Sequence, residues 1–456
     1  MTNQTSPYSV HPDCPDWRTL ADHPQEAAIR ALGDAVSADN AARPERWSKG
    51  FTRRQLLAGG LGVGVAALGT QLVTSRVAYA AGEAAGTSPS RTLVVVFLRG
   101  GLDGLSVVVP GGDARLVEAR PDIAVRAASL LPFDRNFGLH PALSALKPML
   151  DAGKIAAVPD IATPELTRSH FQAQDCLERG GTSAAGSQGW LDRVLEQAGP
   201  GTTFRSLSAT ATLPRSLAGG SGAVVAQTLR DLQIEANDDL RDRTRSALDA
   251  LYTGLDHPFS VQAALALEAD STARALVATQ APDGEFPAGQ FGHQLRTIST
   301  LITGDAGVRV ATVDLGGWDM HTGIGTVDGG DMREALQDLG DGLAAFFASL
   351  GAKADSTTVV LMSEFGRRFE QNGSGGTDHG HGGLAIAMGG GVRGGVYGTW
   401  NGLDADTLAQ GDLPGNNDFR NFLGEVVMGT VGLSESQMSS VFPDWRVAPS
   451  GLMTPV

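Results

Sequence analysis

The chain has 456 residues, 42% hydrophobic and 19% charged, which is ample apolar material for a substantial core and excludes wholesale disorder. A formal net charge of -15 argues against a nucleic-acid partner, because neutralising phosphates needs clustered Lys and Arg; it does not exclude a small anionic substrate held by a local metal ion. Sixty glycines and few aromatics point to tight turns and close backbone approaches.

In chain order, residues 1–51 are polar and Pro-containing and read as an extension outside the fold. Residues 52–80 follow the pattern of a signal peptide. Thr52-Arg53-Arg54-Gln55-Leu56-Leu57 precedes a short apolar run from Ala58 to Thr70, and Ala78-Tyr79-Ala80 offers a cleavage site with Ala81 as the new start. The arginine pair predicts export of a folded protein by the twin-arginine translocation machinery, to the periplasm or beyond, with no stable membrane span after cleavage. Cys14 precedes the signal, so the exported chain keeps Cys176 alone and has no intrachain disulfide; Cys176 is expected as a small buried hydrophobe.

Residues 81–456 are expected to form a single α/β domain. Leu93 to Leu98 is an apolar, valine-rich run that stops at Arg99-Gly100-Gly101-Leu102-Asp103-Gly104, as a buried strand ending in a glycine-rich loop does. Lys154–Val158, Val308–Leu315, Thr357–Met362 and Leu384–Met388 are further strand candidates. Helical patterns cover Leu229–Leu251, Val261–Ala278, Phe291–Ile302, Met332–Leu350 and Phe419–Val431. Strands separated by helices of this length predict a doubly wound, mostly parallel sheet with helices on both faces. Ligands of such sheets bind beyond the carboxyl ends of the strands.

The residues at those ends are polar. Gly316-Gly317-Trp318-Asp319-Met320-His321 follows one strand and Ser363-Glu364-Phe365-Gly366-Arg367 another. Gly376-Thr377-Asp378-His379-Gly380-His381 comes a short loop later, and Arg168-Ser169-His170-Phe171 opens a helix that continues through Gln174. Asp, Glu and His offered from several strand ends suit a divalent cation; imidazole favours zinc or iron, while carboxylates also accept manganese, magnesium or calcium. Ser169 reads either as a helix N-cap or as a hydroxyl nucleophile beside a metal. Asp103 reads as a ligand or as a turn former, and Arg99, Arg367 and Arg368 as site residues or as ordinary ion-paired ones.

Taken in order, Phe97 to Gly104, Ser169-His170-Phe171, Gln188-Gly189-Trp190-Leu191-Asp192, Gly317 to Thr322, Ser363 to Arg367 and Thr377 to His381 resemble the domain-of-unknown-function 1501 family. The resemblance runs from about Arg91 to the C-terminus and implies twin-arginine export, which is common in that family. The family is itself similar to the alkaline phosphatase and sulfatase superfamily, and that more remote likeness implies an alkaline-phosphatase-like fold. It also implies that Asp103 binds metal after the first strand, that Ser169 is the nucleophile, that Asp319 and His321 are later ligands, and that His379 or His381 is the final one. The chain departs from the pattern where Glu364 and Phe365 replace an Asp-His pair. Either one metal position is lost, or Asp378 and His379 supply it from the following loop.

The expected function is an exported metal-dependent hydrolase of phosphate or sulfate esters, acting on a small anionic substrate. Asp103, Asp319, His321, Asp378, His379 and His381 hold one or two divalent cations (zinc, calcium, magnesium or manganese), with Glu364 as ligand or base. Ser169, or a water activated by the metal, attacks, and His170 or Arg367 steadies the developing charge. Two rivals stand beside it: a binding or partner protein that kept this fold without the chemistry, and an exported enzyme of another class such as an oxidoreductase. The lone Cys176 offers no haem or iron–sulfur pattern for the latter.

Overall fold

The computed structural model describes residues 91–181, 186–234, 238–252, 258–278 and 286–455. The N-terminal extension, the Arg53-Arg54 signal, its cleavage site and Cys14 lie outside the described residues.

Among the described residues, twelve strands follow one another: β1 (Thr92–Leu98), β2 (Val108–Pro110), β3 (Leu131–Asp134), β4 (Phe137–Leu139), β5 (Ile155–Ala162), β6 (Ser206–Ser208), β7 (Val224–Val225), β8 (Val310–Leu315), β9 (Thr357–Met362), β10 (Gly383–Gly389), β11 (Gly395–Val396) and β12 (Asn417–Asp418). Nine of them form one sheet in the order β11-β5-β10-β9-β1-β8-β6-β7, with β12 also on β5; β2, β4 and β3 form a small antiparallel sheet beside it. β1 lies near the centre, Val95 pairing with Thr312 on one side and Val360 on the other. All seven of its residues are buried, which is why its sequence is continuously apolar rather than alternating.

Both faces of the sheet are covered. Leu93, Val95 and Phe97 pack in one apolar cluster with residues of the helices Trp190–Ala198, Phe419–Val431 and Glu435–Val441. Val94, Val96 and Leu98 pack in another, with the helices Gln290–Thr303 and Asp331–Leu350. The period of two along β1 thus divides its side chains between two helical layers. Among the described residues, no helix is long and apolar enough to cross a membrane.

The sheet is mostly parallel, with one reversal that matters for the site. β10 runs antiparallel to both β9 and β5. Its amino end therefore lies at the same edge as the carboxyl ends of β1, β5, β8 and β9. The loop that enters β10 meets the loops that leave the others.

The helices Pro258–Val277, Gln290–Thr303, Asp331–Leu350 and Phe419–Val431 fall where the apolar periodicity places them. The expected helix from Leu229 does not form as one piece. Thr228 and Asp231 make a reciprocal cap on a short 3-10 turn, Leu229–Leu232, which ends there, and a separate helix runs Asp238–Tyr252. The edge strands of two or three residues carry too short a pattern to be read from sequence. Cys176 is fully buried.

Candidate metal centre

Main-chain geometry brings the loops together first. Gly100 takes φ +126°, and a Cβ at this position would collide with the backbone nitrogen of Asp319, so a glycine is needed for the loops after β1 and β8 to touch. The segment after β9 then pairs with the segment entering β10. Gly366 N donates to His381 O (3.0 Å), Gly380 N to Gly366 O (2.9 Å) and Arg368 N to Asp378 O (2.9 Å). This sets Arg367 opposite His379.

Arg367 locks the arrangement. Its side chain is buried and donates to Gly101 O (2.6 Å), Thr377 O (2.9 Å), Trp318 O (3.1 Å) and Gly100 O, and it pairs with Asp319 Oδ1 at 2.7 Å. One guanidinium thus ties three loops together, with main-chain oxygens taking most of its donors.

Around Asp319 stand three histidines. His379 Nε2 and His321 Nε2 lie 3.0 and 3.1 Å from Asp319 Oδ1, and 3.0 Å from each other. His170 Nε2 lies 3.5 Å from Asp319 Oδ2, too long for a hydrogen bond, and it is buried without a hydrogen-bond partner. Among the described residues, His170, Asp319 and His379 present ligand atoms all within 4.8 Å of one another.

The far nitrogen of each ring decides what the near one can do. His170 Nδ1 lies 2.8 Å from Glu364 Oε1, His321 Nδ1 3.2 Å from Asp378 Oδ1, and His379 Nδ1 2.9 Å from Arg168 O. Carboxylate and carbonyl oxygens accept, so each Nδ1 must donate, and a neutral ring then turns a bare Nε2 towards Asp319. Three lone pairs facing a carboxylate repel one another unless a proton or a metal cation sits among them. Oxygen-held imidazoles of this kind are the usual surroundings of a metal ligand. The donor set of three imidazoles and one carboxylate fits a divalent transition metal, zinc in particular.

The charges agree with the geometry. Burial works against ionising Asp319, but the neighbouring imidazoles of His170 and His379 and the Arg367 guanidinium outweigh it and hold its carboxyl below the usual range. Burial likewise opposes the charge on Glu364, and hydrogen bonds from His170 and Gln174 reverse that effect. Burial opposes the charge on His170 too, yet the carboxylates of Asp319 and Glu364 beside it raise its pKa to about 9. A metal ion entering the site must displace that proton.

The structure divides the residues singled out by sequence. Asp319, His321 and His379 come together as expected, joined by His170, which sequence reasoning placed in a charge-steadying role. Asp378 stands behind His321 and also accepts from Asn372 Nδ2 (3.2 Å). Glu364, almost wholly buried, receives Gly100 N (2.9 Å), Gln174 Nε2 (2.9 Å) and His170 Nδ1 on one oxygen, which makes it an anchor for His170. Ser169 precedes the helix His170–Arg179, its side chain forms no cap, and its neighbours on either side both touch the histidine group.

Asp103 is elsewhere in chemical terms. Both of its oxygens are engaged by buried Arg120 (2.6 and 3.0 Å), and Ser106 Oγ donates to Oδ2 at 2.5 Å, so this carboxylate already serves as an internal tie. His381 points away to Gly415, near Arg168 and Asp412, and burial keeps its pKa below the ordinary value. Phe365 lines the site, its ring centroid 4.9 Å from that of His170 and 4.8 Å from that of His379. Arg120 and Gln174 escaped sequence reasoning. The four-residue spacing of His170, Gln174 and Glu178 on one helix was the signal available for Gln174.

The model of the family described as "Protein of unknown function (DUF1501)" matches residues 157–413, which span more than half of the chain and include His170, Asp319, His321, Glu364, Arg367 and His379. The chain belongs to this family. No curated protein matches it. Among solved structures, it is similar to Ps i-CgsB in complex with k-i-k-neocarrahexaose, at 11% identity and a TM-score of 0.33, covering 76% of this chain and 74% of that one. It is similar also to the integral membrane lipooligosaccharide phosphoethanolamine transferase A of Neisseria meningitidis (10%, TM-score 0.35, covering 92% and 71%). A 2-O GAG sulfatase shows 9% identity, a TM-score of 0.30 and coverage of 79% and 76%.

Proposed function

We propose that this member of the family is an exported metal-dependent hydrolase of phosphate or sulfate esters, and that residues 81–456 form its single working domain. The observation that carries this reading is the set of three Nε2 atoms turned onto Asp319, each ring held from behind by an oxygen. His170, His321, His379 and Asp319 hold the divalent cation. When bound, such a cation withdraws electron density from an ester oxygen and stabilises the charge that develops on it.

The chain's own groups then have separate tasks. Arg367 keeps Asp319 charged and the three loops in register. Glu364, Asp378 and the Arg168 carbonyl keep the imidazoles aimed. Ser169 lies between Arg168 and His170, both in contact with the group, and its hydroxyl is the nucleophile of this proposal. The twin-arginine machinery is the proposed export partner, on the strength of the Arg53-Arg54 pair ahead of its short apolar run.

Protein purified without an affinity tag should contain close to one equivalent of a divalent metal; less than about a tenth of an equivalent, with no stabilisation by added metal, overturns the proposal. A panel of aryl phosphate and sulfate esters should be turned over by the wild type and not by His321→Ala. Equal rates in the two would show that the chemistry lies elsewhere. Metal bound without turnover of any ester would support the binding-protein reading instead.

A further inference from the structure

Arg99 leaves β1 directly and spends its donors on three acceptors. Its Nε meets Asp314 Oδ2 (2.8 Å), its Nη2 donates to Glu178 Oε1 (3.0 Å) and its Nη1 to Gln174 Oε1 (3.1 Å). Glu178 is buried and further fixed by Ser216 N (2.9 Å), so this guanidinium has little freedom. A guanidinium can only donate, so the amide oxygen of Gln174 must face it and the amide NH2 must face the other way.

That other way is Glu364. Gln174 Nε2 donates to Oε1 at 2.9 Å, the same oxygen that receives Gly100 N and His170 Nδ1. An oxygen accepting three N–H groups carries no proton of its own. His170 must therefore donate through Nδ1, and its Nε2 is the nitrogen left for a ligand. A reversed Gln174 amide would put its carbonyl against Glu364, require a proton on that carboxyl, and release His170 from its donor role. His170, Gln174 and Glu178 stand four residues apart on one helical stripe, so the whole relay is built from one helix face and the ends of two strands, β1 and β9.

We infer that Arg99 and Gln174 are positioning residues that dictate which nitrogen of His170 is offered to the metal, and so set the metal affinity of a site neither of them touches. The inference rests on the metal reading above. Its test uses Co2+ as the probe with the full chain. Gln174→Leu, which removes the relay, and Gln174→Glu, which keeps the size and the Arg99 contact but sets a carboxylate against Glu364, should each bind Co2+ roughly 10–100-fold more weakly than wild type. Their metal-free melting temperatures should stay within a few degrees of wild type; Gln174→Glu preserves the test if the leucine variant fails to fold.

Proton spectra of the Co2+-loaded protein supply a readout that a merely structural role would not move. Three exchangeable, paramagnetically shifted Nδ1–H signals are expected in the wild type, one per ligating ring, and two in either variant. Unchanged affinity, or weaker binding with all three signals retained, overturns the inference alone. A wild type that binds no Co2+ overturns it together with the metal reading.

Discussion

Two aspartates at the same edge of the sheet, Asp103 after β1 and Asp319 after β8, are each paired with a buried arginine, and the outcomes are opposite. Arg120 grips Asp103 with two nitrogens, Ser106 adds a third bond, and the side chains of both members of the pair are nearly inaccessible, 1% and 3% exposed. Arg367 touches Asp319 through one nitrogen only, and the Asp319 side chain stays 49% exposed with three imidazoles around it. A carboxylate saturated by its own fold is a structural tie. One left with lone pairs and solvent access can take a ligand. The family motif places both aspartates at strand ends, but only their partners separate the two roles.

The sharpest way to break this contrast is to remove Arg120. Arg120→Met leaves a buried, unpaired Asp103 and should cost about 3–5 kcal/mol in chemical denaturation, because stranding one partner of a buried pair carries the desolvation penalty of the other. Metal binding per folded molecule should be unchanged. A variant that unfolds no more easily than wild type would show that the closed pair is no tie at all. On the open side the effects reverse. Asp319→Asn should weaken metal binding by two orders of magnitude or more, about 2.7 kcal/mol, with little change in the unfolding of the metal-free protein; isothermal titration reads the first and a denaturant melt the second. Equal metal affinity in Asp319→Asn and wild type would erase the distinction.

Acid should strike the closed side as well. His140 is buried beside β2, its Nδ1 accepts the Ala142 amide at 3.1 Å, and burial first, then the charge of Arg333, pushes its pKa down to about 4. The folded state therefore binds fewer protons than the unfolded chain between the unfolded value near 6.5 and 4. The contribution is intact above pH 6.5 and is lost as pH falls through that window, on the order of 2–3 kcal/mol by its lower end. Denaturant midpoints of wild type and His140→Gln measured at pH 7, 5.5 and 4.5 should converge as the pH drops; parallel curves would mean that His140 is not the group. The smallest effect expected is at Phe365, whose ring leans on His170 and His379. Phe365→Leu should lower stability by about 1 kcal/mol and leave metal stoichiometry at the wild-type value, since the ring supports the imidazoles without contributing a ligand.

The sequence by itself determined the five long strands of the main sheet and the place of the candidate site. Continuous apolar runs such as Thr357–Met362 are local, and the polar residues that follow them must lie at a strand end whatever the rest of the chain does. Asp319, His321 and His379 were legible for that reason. The tertiary structure alone decided which donors remain open. Arg120 takes Asp103 out of the site, the reversal of β10 carries His379 in and leaves His381 beyond it, and His170 meets Glu364 across 194 residues of chain. A side chain's capacity to accept or donate is written in its residue type, but whether that capacity is already spent depends on neighbours that only the packed fold supplies.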